Sequence, residues 1–192
     1  MTLNVALKEW AVICDALERG EQSILLRKGG IRERRGGFSV EHEAFFLYPT
    51  AFHQNPAQLI PAAQERLAQL RTPEPGRVPI QLFARVERYW QVDTFEVLEK
   101  LTELHLLAPA TVAERFYYRR PGLTVLLLTV FRLLEPFEVI EKPEYAGCHS
   151  WVPLVEEPPS RQMSPVLDEP QRQDLTFKLT RLLGGAASVE AP

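Results

Sequence analysis

Between Leu123 and Leu134 the chain reads Leu-Thr-Val-Leu-Leu-Leu-Thr-Val-Phe-Arg-Leu-Leu, and this run limits the fold more than any other. Apolar residues dominate it without alternation. A run of that kind predicts a central strand buried on both faces. Its most apolar part, Leu123 to Phe131, is far shorter than the ~20 residues a membrane helix needs.

The elements around this strand follow from local pattern. Leu7, Trp10, Ala11, Cys14 and Leu17 stand at helical spacing, which predicts a helix from Asn4 to Arg19 ended by Gly20. Gln22 to Arg27 reads as a strand. Two Gly-Gly pairs make Lys28 to Gly37 a loop or wide hairpin, and Phe38 to Tyr48 resumes as strand up to Pro49. Asn55-Pro56 starts a helix to about Arg71, with Pro61 positioned to break or restart it. Ile80 to Val86 alternates as a half-buried strand. Asp93-Thr94-Phe95-Glu96 and Thr111-Val112-Ala113-Glu114 read as capping boxes for helices over 94–104 and 112–117. Strand fragments follow at 137–140 and 150–154, and Asp168 with Pro170 opens a last amphipathic helix that Gly184-Gly185 stops. The class is α+β: a mixed or barrel-like sheet of five to seven strands with four or five flanking helices.

At roughly 100–200 residues per domain, a chain of 192 residues is one domain with a tail. Residues 1–157 are expected to form a single globular domain. Residues 158–183 would be an extension with the amphipathic helix, and 184–192 a disordered tail. A chain of this size buries about 70% of its unfolded surface and needs no staple to fold. Two cysteines, Cys14 and Cys148, with no Cys-x-x-Cys exclude a disulfide framework and a Cys-rich zinc module. That usage, and the absence of a signal-peptide pattern, predict a soluble cytoplasmic protein with no membrane partner.

The net charge of −3 conceals a polarity. Arg27, Lys28, Arg32, Arg34 and Arg35 stand against the single anion Glu33, whereas 135–157 carries six glutamates against Lys142. A Gly-flanked cationic loop can follow a phosphate backbone. Arg115, Arg119 and Arg120 beside Tyr117 and Tyr118 combine cations with stacking surfaces. The plainer reading of both clusters is a solvated hairpin and a solvated helix end. Trp10, Trp90 and Trp151, by default core, would stack a base if they converged in a pocket with Tyr48 and His53.

No Gly-x-Ser-x-Gly, P-loop, Gly-x-Gly-x-x-Gly or His-Glu-x-x-His occurs, so no motif asks for a cofactor. No Asp or Glu is followed two positions later by Lys, which argues against a restriction-type nuclease core. Glu41, His42, Glu43 and His53 are the best metal-like set and support an alternative, metal-assisted hydrolysis. On a strand, however, Glu41 and Glu43 share one face and His42 the other. Whether the chain is an enzyme stays open. A third alternative is a non-catalytic subunit that docks a partner through the C-terminal helix.

Several stretches are similar to an uncharacterised bacterial family, domain of unknown function 1802. They are Leu7-Lys8-Glu9-Trp10, Gly20, Leu25 to Ile31, Phe46-Leu47-Tyr48-Pro49-Thr50 with His53-Gln54, and Gly147 to Val152. The likeness runs from about Leu7 to Leu154. It implies a domain found near or fused to Mrr-type restriction endonucleases, hence recognition of foreign or modified DNA. The opening helix, Gly20-Glu21-Gln22, strand and Arg27 also resemble the ASCH branch of PUA-like barrels. That resemblance implies a barrel of five to six strands with an RNA- or nucleotide-sized cleft, with Gln22 where that group carries lysine.

Together these readings predict a nucleic-acid-recognition module, binding DNA or RNA without chemistry. Arg27, Lys28, Arg32, Arg34, Arg35, Arg119 and Arg120 would hold phosphates. Trp10, Tyr48, Trp90, Trp151 and His53 would border the pocket.

Overall fold

A computed structural model describes residues 4–28, 42–51, 53–70, 74–145, 147, 149–155, 159–160, 162–184 and 187–190, the last four by backbone alone. The apolar run at Leu123 forms the first part of strand β5, Leu123–Ile140, and is buried without a break from Leu123 to Val130. In chain order the other strands are β1 (Val5–Trp10), β2 (Ile24–Arg27), β3 (Ala44–Thr50), β4 (Arg77–Val92), β6 (Trp151–Pro153), β7 (Met163–Pro165) and β8 (Ala187–Glu190). The helices are α1 (Ala11–Glu18), α2 (Pro61–Gln69), α3 (Phe95–Glu99), α4 (Pro109–Tyr117) and α5 (Glu169–Leu183). The class is α+β with a mixed sheet and five helices, as the pattern predicts.

The sheet runs β2-β5-β4-β3-β1-β6, with β7 added beside β5 and β8 beside β4. Neighbours are antiparallel except β1 and β3, which are parallel. On β5, Leu126 lies between Leu25 of β2 and Tyr89 of β4. The three residues that interrupt its apolar run all find partners. Thr124 donates to Gln91 Oε1 at 3.0 Å, Thr129 donates to Glu87, and Arg132 donates to the Glu18 carbonyl at the end of α1. A buried polar group so paired avoids its desolvation penalty.

Two cores lie on opposite faces of the sheet. On β3, Phe45 and Leu47 enter the main core, while Phe46 and Tyr48 enter a second one. On β4, Leu82, Ala84 and Val86 enter the main core, yet Val78 and Ile80, at the same parity, enter the second. The register shift between Ile80 and Leu82 causes this switch. Opposite it, β5 accommodates the extra residues Leu133 to Pro136 between Arg132 and Phe137. Proline lacks a ladder donor and is tolerated at such a bulge. The pattern had placed a break here, with separate strands on either side; paired with β4, they are one strand.

The expected N-terminal helix is corrected. Val5–Trp10 is strand β1, and the helix begins only at Ala11. Ala6 and Leu7 are both wholly buried, in different cores. A strand between two layers buries adjacent residues on opposite faces, and pairing with Phe46 and Leu47 secures it. Asn55 caps only a short 3₁₀ turn, Pro56–Gln58, and Pro61 restarts the chain as α2. Neither central capping box forms. Thr94 makes no cap bond, and α4 starts earlier, at Pro109, so that Thr111 lies inside it and donates to the Gln58 carbonyl. At the start of α5, where the sequence offers Asp168 and Pro170, a capping box does form between Asp168 and Gln171. Part of the stretch expected as a disordered tail forms β8 on the edge of β4. Among the described residues no helix is long and apolar enough to cross a membrane.

Candidate functional site

The sheet curls until β2, at one edge, comes close to β1 and β6 at the other. Arg27, the last residue of β2, spans the gap. Its Nη1 donates to Glu9 Oε2 at 3.0 Å and to the Lys8 carbonyl at 3.4 Å, and its Nη2 to Ser150 Oγ at 2.9 Å. Glu9 Oε1 accepts from the Trp10 N–H at 2.8 Å, which fixes the carboxylate where β1 turns into α1. The pair is sequestered: the Arg27 and Glu9 side chains are 14% and 6% exposed. A buried carboxylate is tolerable only with such partners.

A second guanidinium approaches the same place. Arg115, on α4, lies 5.0 Å above the Trp10 ring and donates to the Leu26 carbonyl at 3.4 Å. Among the described residues it has no carboxylate at ion-pair distance. Burial lowers its pKa, Glu9 opposes that shift and Arg27 adds to it. Two guanidinium groups around one carboxylate leave the gap with an excess of positive charge.

The next residue, Lys28, reaches the C-terminus of α4. Its Nζ donates to the carbonyls of Phe116 and Gly122, each at 2.8 Å, and to that of Arg120. An ammonium satisfies a helix C-terminus well in charge and geometry. The turn it holds is also tied by Gly122 N–H to the Phe116 carbonyl, and Arg119 has φ +60°. On this braced turn Tyr117 and Tyr118 stand 58% and 54% exposed. Tyr117 leans on Phe116 and Phe95, and the Arg119 guanidinium lies 5.2 Å over the Tyr118 ring.

The predicted pocket residues do not assemble. Trp10 lies under Arg115, and Trp151 is half-buried between His42 and Phe45 near the same gap. Trp90 is core and Tyr48 packs with Tyr145 in the second core, at 1% and 2% exposure, so neither can border an open pocket. His53 is exposed, with φ +58°. Glu43 is exposed and its carbonyl accepts from Val86. Arg32, Arg34, Arg35, Glu41 and Cys148 lie outside the described residues. Among the described residues no three His, Cys, Asp or Glu side chains come together as a metal site. Burial, and then Glu9, push the Cys14 thiol well up, which makes it a poor nucleophile.

Sequence reasoning missed Glu9 and Ser150. The available signal was an acidic residue set among the apolar positions Leu7 and Trp10. Gln22, at the position where the ASCH likeness expects lysine, is buried. Its Nε2 donates to the Ile24 carbonyl at 2.7 Å and its Oε1 accepts from Leu106 N–H at 3.1 Å, which fastens the loop before α4 to β2.

The model of the family called domain of unknown function, DUF1802, matches residues 6–176. The chain belongs to this family. The matched region of the DUF1802 chain extends past Leu154 into α5. Among curated proteins none matches the sequence. Solved structures similar to this DUF1802 chain include the ASCH protein of Zymomonas mobilis, at 13% identity and TM-score 0.40, covering 90% of this chain and 93% of that one. A point variant of the same protein is similar at 14% identity and TM-score 0.41, covering 92% and 96%. A likeness at that distance assigns no ligand and no residue role.

Proposed function

We propose that this DUF1802 chain recognises nucleic acid, with unpaired bases stacking on Tyr117 and Tyr118 and phosphates held by Arg119, Arg120, Arg32, Arg34 and Arg35. The observation that carries this reading is the exposed tyrosine pair on a turn braced by Lys28. Rigid aromatic rings in solvent gain little for the fold, whereas a stacked base is worth about 1–3 kcal/mol per ring. The Arg119 guanidinium beside the Tyr118 ring would supply counter-charge for the phosphates between the bases.

Each cation has its own part. Arg27 and Lys28 already serve Glu9, Ser150 and the end of α4, so they set the shape and field of the surface. Arg115 presents its remaining N–H donors beside Trp10. Arg32, Arg34 and Arg35 enter on charge alone. The mechanism is positioning by cations and reading by stacking, without a chemical step. Within a restriction or defence system, such a module would select the foreign or modified strand on which a partner nuclease acts.

Fluorescence anisotropy with labelled single-stranded DNA and RNA oligonucleotides tests the proposal. Binding is expected at low salt. Replacing Tyr117 and Tyr118 together by Ala should weaken it at least about tenfold, from the loss of stacking. No binding to any oligonucleotide at low salt, or full affinity in the double variant, sinks it.

A further inference from the structure

Away from the sheet gap, α3, the turn after it and the first half of α4 enclose a pocket of about 280 Å³. Its walls are apolar: Phe95, Leu98, Pro109, Ala110, Val112 and Ala113. Glu99, His105 and Thr102 are its polar members. Of these, Glu99 and Thr102 are exposed and already joined, Thr102 Oγ1 donating to the Glu99 carbonyl at 2.6 Å.

His105 is different. It is 5% exposed, and its Nδ1 accepts from Leu107 N–H at 3.2 Å. Nδ1 therefore carries no proton, and the ring proton sits on Nε2. Burial first, then the nearby Arg115 charge, lower its pKa to about 4, so the ring is neutral at ordinary pH. A ring N–H on the wall of an otherwise apolar pocket gives that pocket a defined polarity.

We propose that this pocket binds a small, neutral, ring-bearing molecule whose hydrogen-bond acceptor meets His105 Nε2–H. The volume of about 280 Å³, just below the usual range for ligand pockets of about 300–1,000 Å³, limits the ligand to one or two rings. The walls offer no cation to an anionic ligand, and the Glu99 carboxylate at the edge disfavours one. The pocket shares the Phe95 ring with Tyr117, but its ligand is read by small-molecule binding alone, so the proposal stands or falls independently of nucleic-acid binding.

Quinoline and naphthalene separate the donor from the walls, because they share a shape and only quinoline has an acceptor. Each is titrated into the full chain and followed by amide ¹H–¹⁵N spectra. Quinoline should shift the amides of His105, Val112 and Ala113 and bind about tenfold more tightly than naphthalene, as one neutral hydrogen bond allows. In His105→Phe that preference should vanish while weak binding of both remains. Ala110→Trp, at an exposed wall position, should block both even if His105→Phe does not fold. No binding of either probe, equal binding of the two in the unmodified chain, or unchanged quinoline binding in Ala110→Trp overturns the proposal.

Discussion

Arg27 shows how one side chain can look like a ligand contact in sequence and act as a brace in the structure. Its place beside Lys28 and a Gly-rich, Arg-rich stretch predicts a phosphate contact, but its guanidinium is taken by Glu9 and Ser150. Arg27→Met should leave the 6%-exposed Glu9 carboxylate without its counter-ion and cost about 3–5 kcal/mol in urea unfolding. Adding Glu9→Gln should recover most of that loss; an additive double variant would deny the pairing. His105 permits a second prediction at this scale, in pH. Its folded pKa, about 4, is below the unfolded value near 6.5. Between those values the unfolded chain binds more protons, so the stabilisation is present above pH 6.5 and is lost as pH falls toward 4. From pH 7 to pH 5 the unmodified chain should lose about 2 kcal/mol through this group, and His105→Asn should remove that part of the slope. Urea midpoints at the two pH values check it.

At the scale of elements, α5 has the most to tell. The sequence sets it apart, after a Glu-Glu-Pro-Pro stretch, as an extension to the domain. Yet Leu179 and Leu183 are wholly buried in the main core, and β8 beyond them adds to β4. Deleting 161–192 should therefore lower stability by about 3–6 kcal/mol, at about 1.5–3 for each buried leucine; unchanged urea unfolding would mark α5 as dispensable. The same contrast explains what could be read beforehand. The first part of β5 was legible because its apolar run has one reading, and α5 because its start is marked locally by Asp168 and Pro170. The capping box at Asp168 is closed by Gln171 within the same turn, whereas Thr111 is drawn into α4 by the first-turn Pro109 and the Gln58 carbonyl. β1 was illegible because Leu7 and Trp10, three residues apart, fit one helix face, and only pairing with β3, far along the chain, decides for a strand. The site followed the same rule. Tyr117, Tyr118, Arg119 and Arg120 are neighbours in sequence and could be grouped, while Glu9, Arg27 and Ser150 meet only through the curl of the sheet.

Over the whole molecule, a net charge of −3 argues against a nucleic-acid partner only if charge is uniform, and it is not. The glutamates of 135–144 lie on and just past the far end of β5, whose other end, at Leu123, adjoins the braced turn of Tyr117 to Gly122. Arg119 and Arg120 thus sit by one end of this strand and these glutamates toward the other. The screening length is about 10 Å at 0.1 M salt, shorter than β5, so the acidic end hardly weakens the basic end's field at the surface. A strand that bridges the arginines of the Gly-rich stretch and those after α4 releases counter-ions from both, and each single-strand phosphate contact contributes about 0.7 to the slope of log K against log salt. Arg119→Ala with Arg120→Ala should then reduce the slope by about 1.4, and the triple Ala variant of Arg32, Arg34 and Arg35 by about 2. If the proposed strand follows one path over both clusters, the two reductions should add in the quintuple variant. If the triple variant alone abolishes the salt dependence and the double variant leaves it untouched, the tyrosine turn lies off the path, and the bases must be read elsewhere on the basic end.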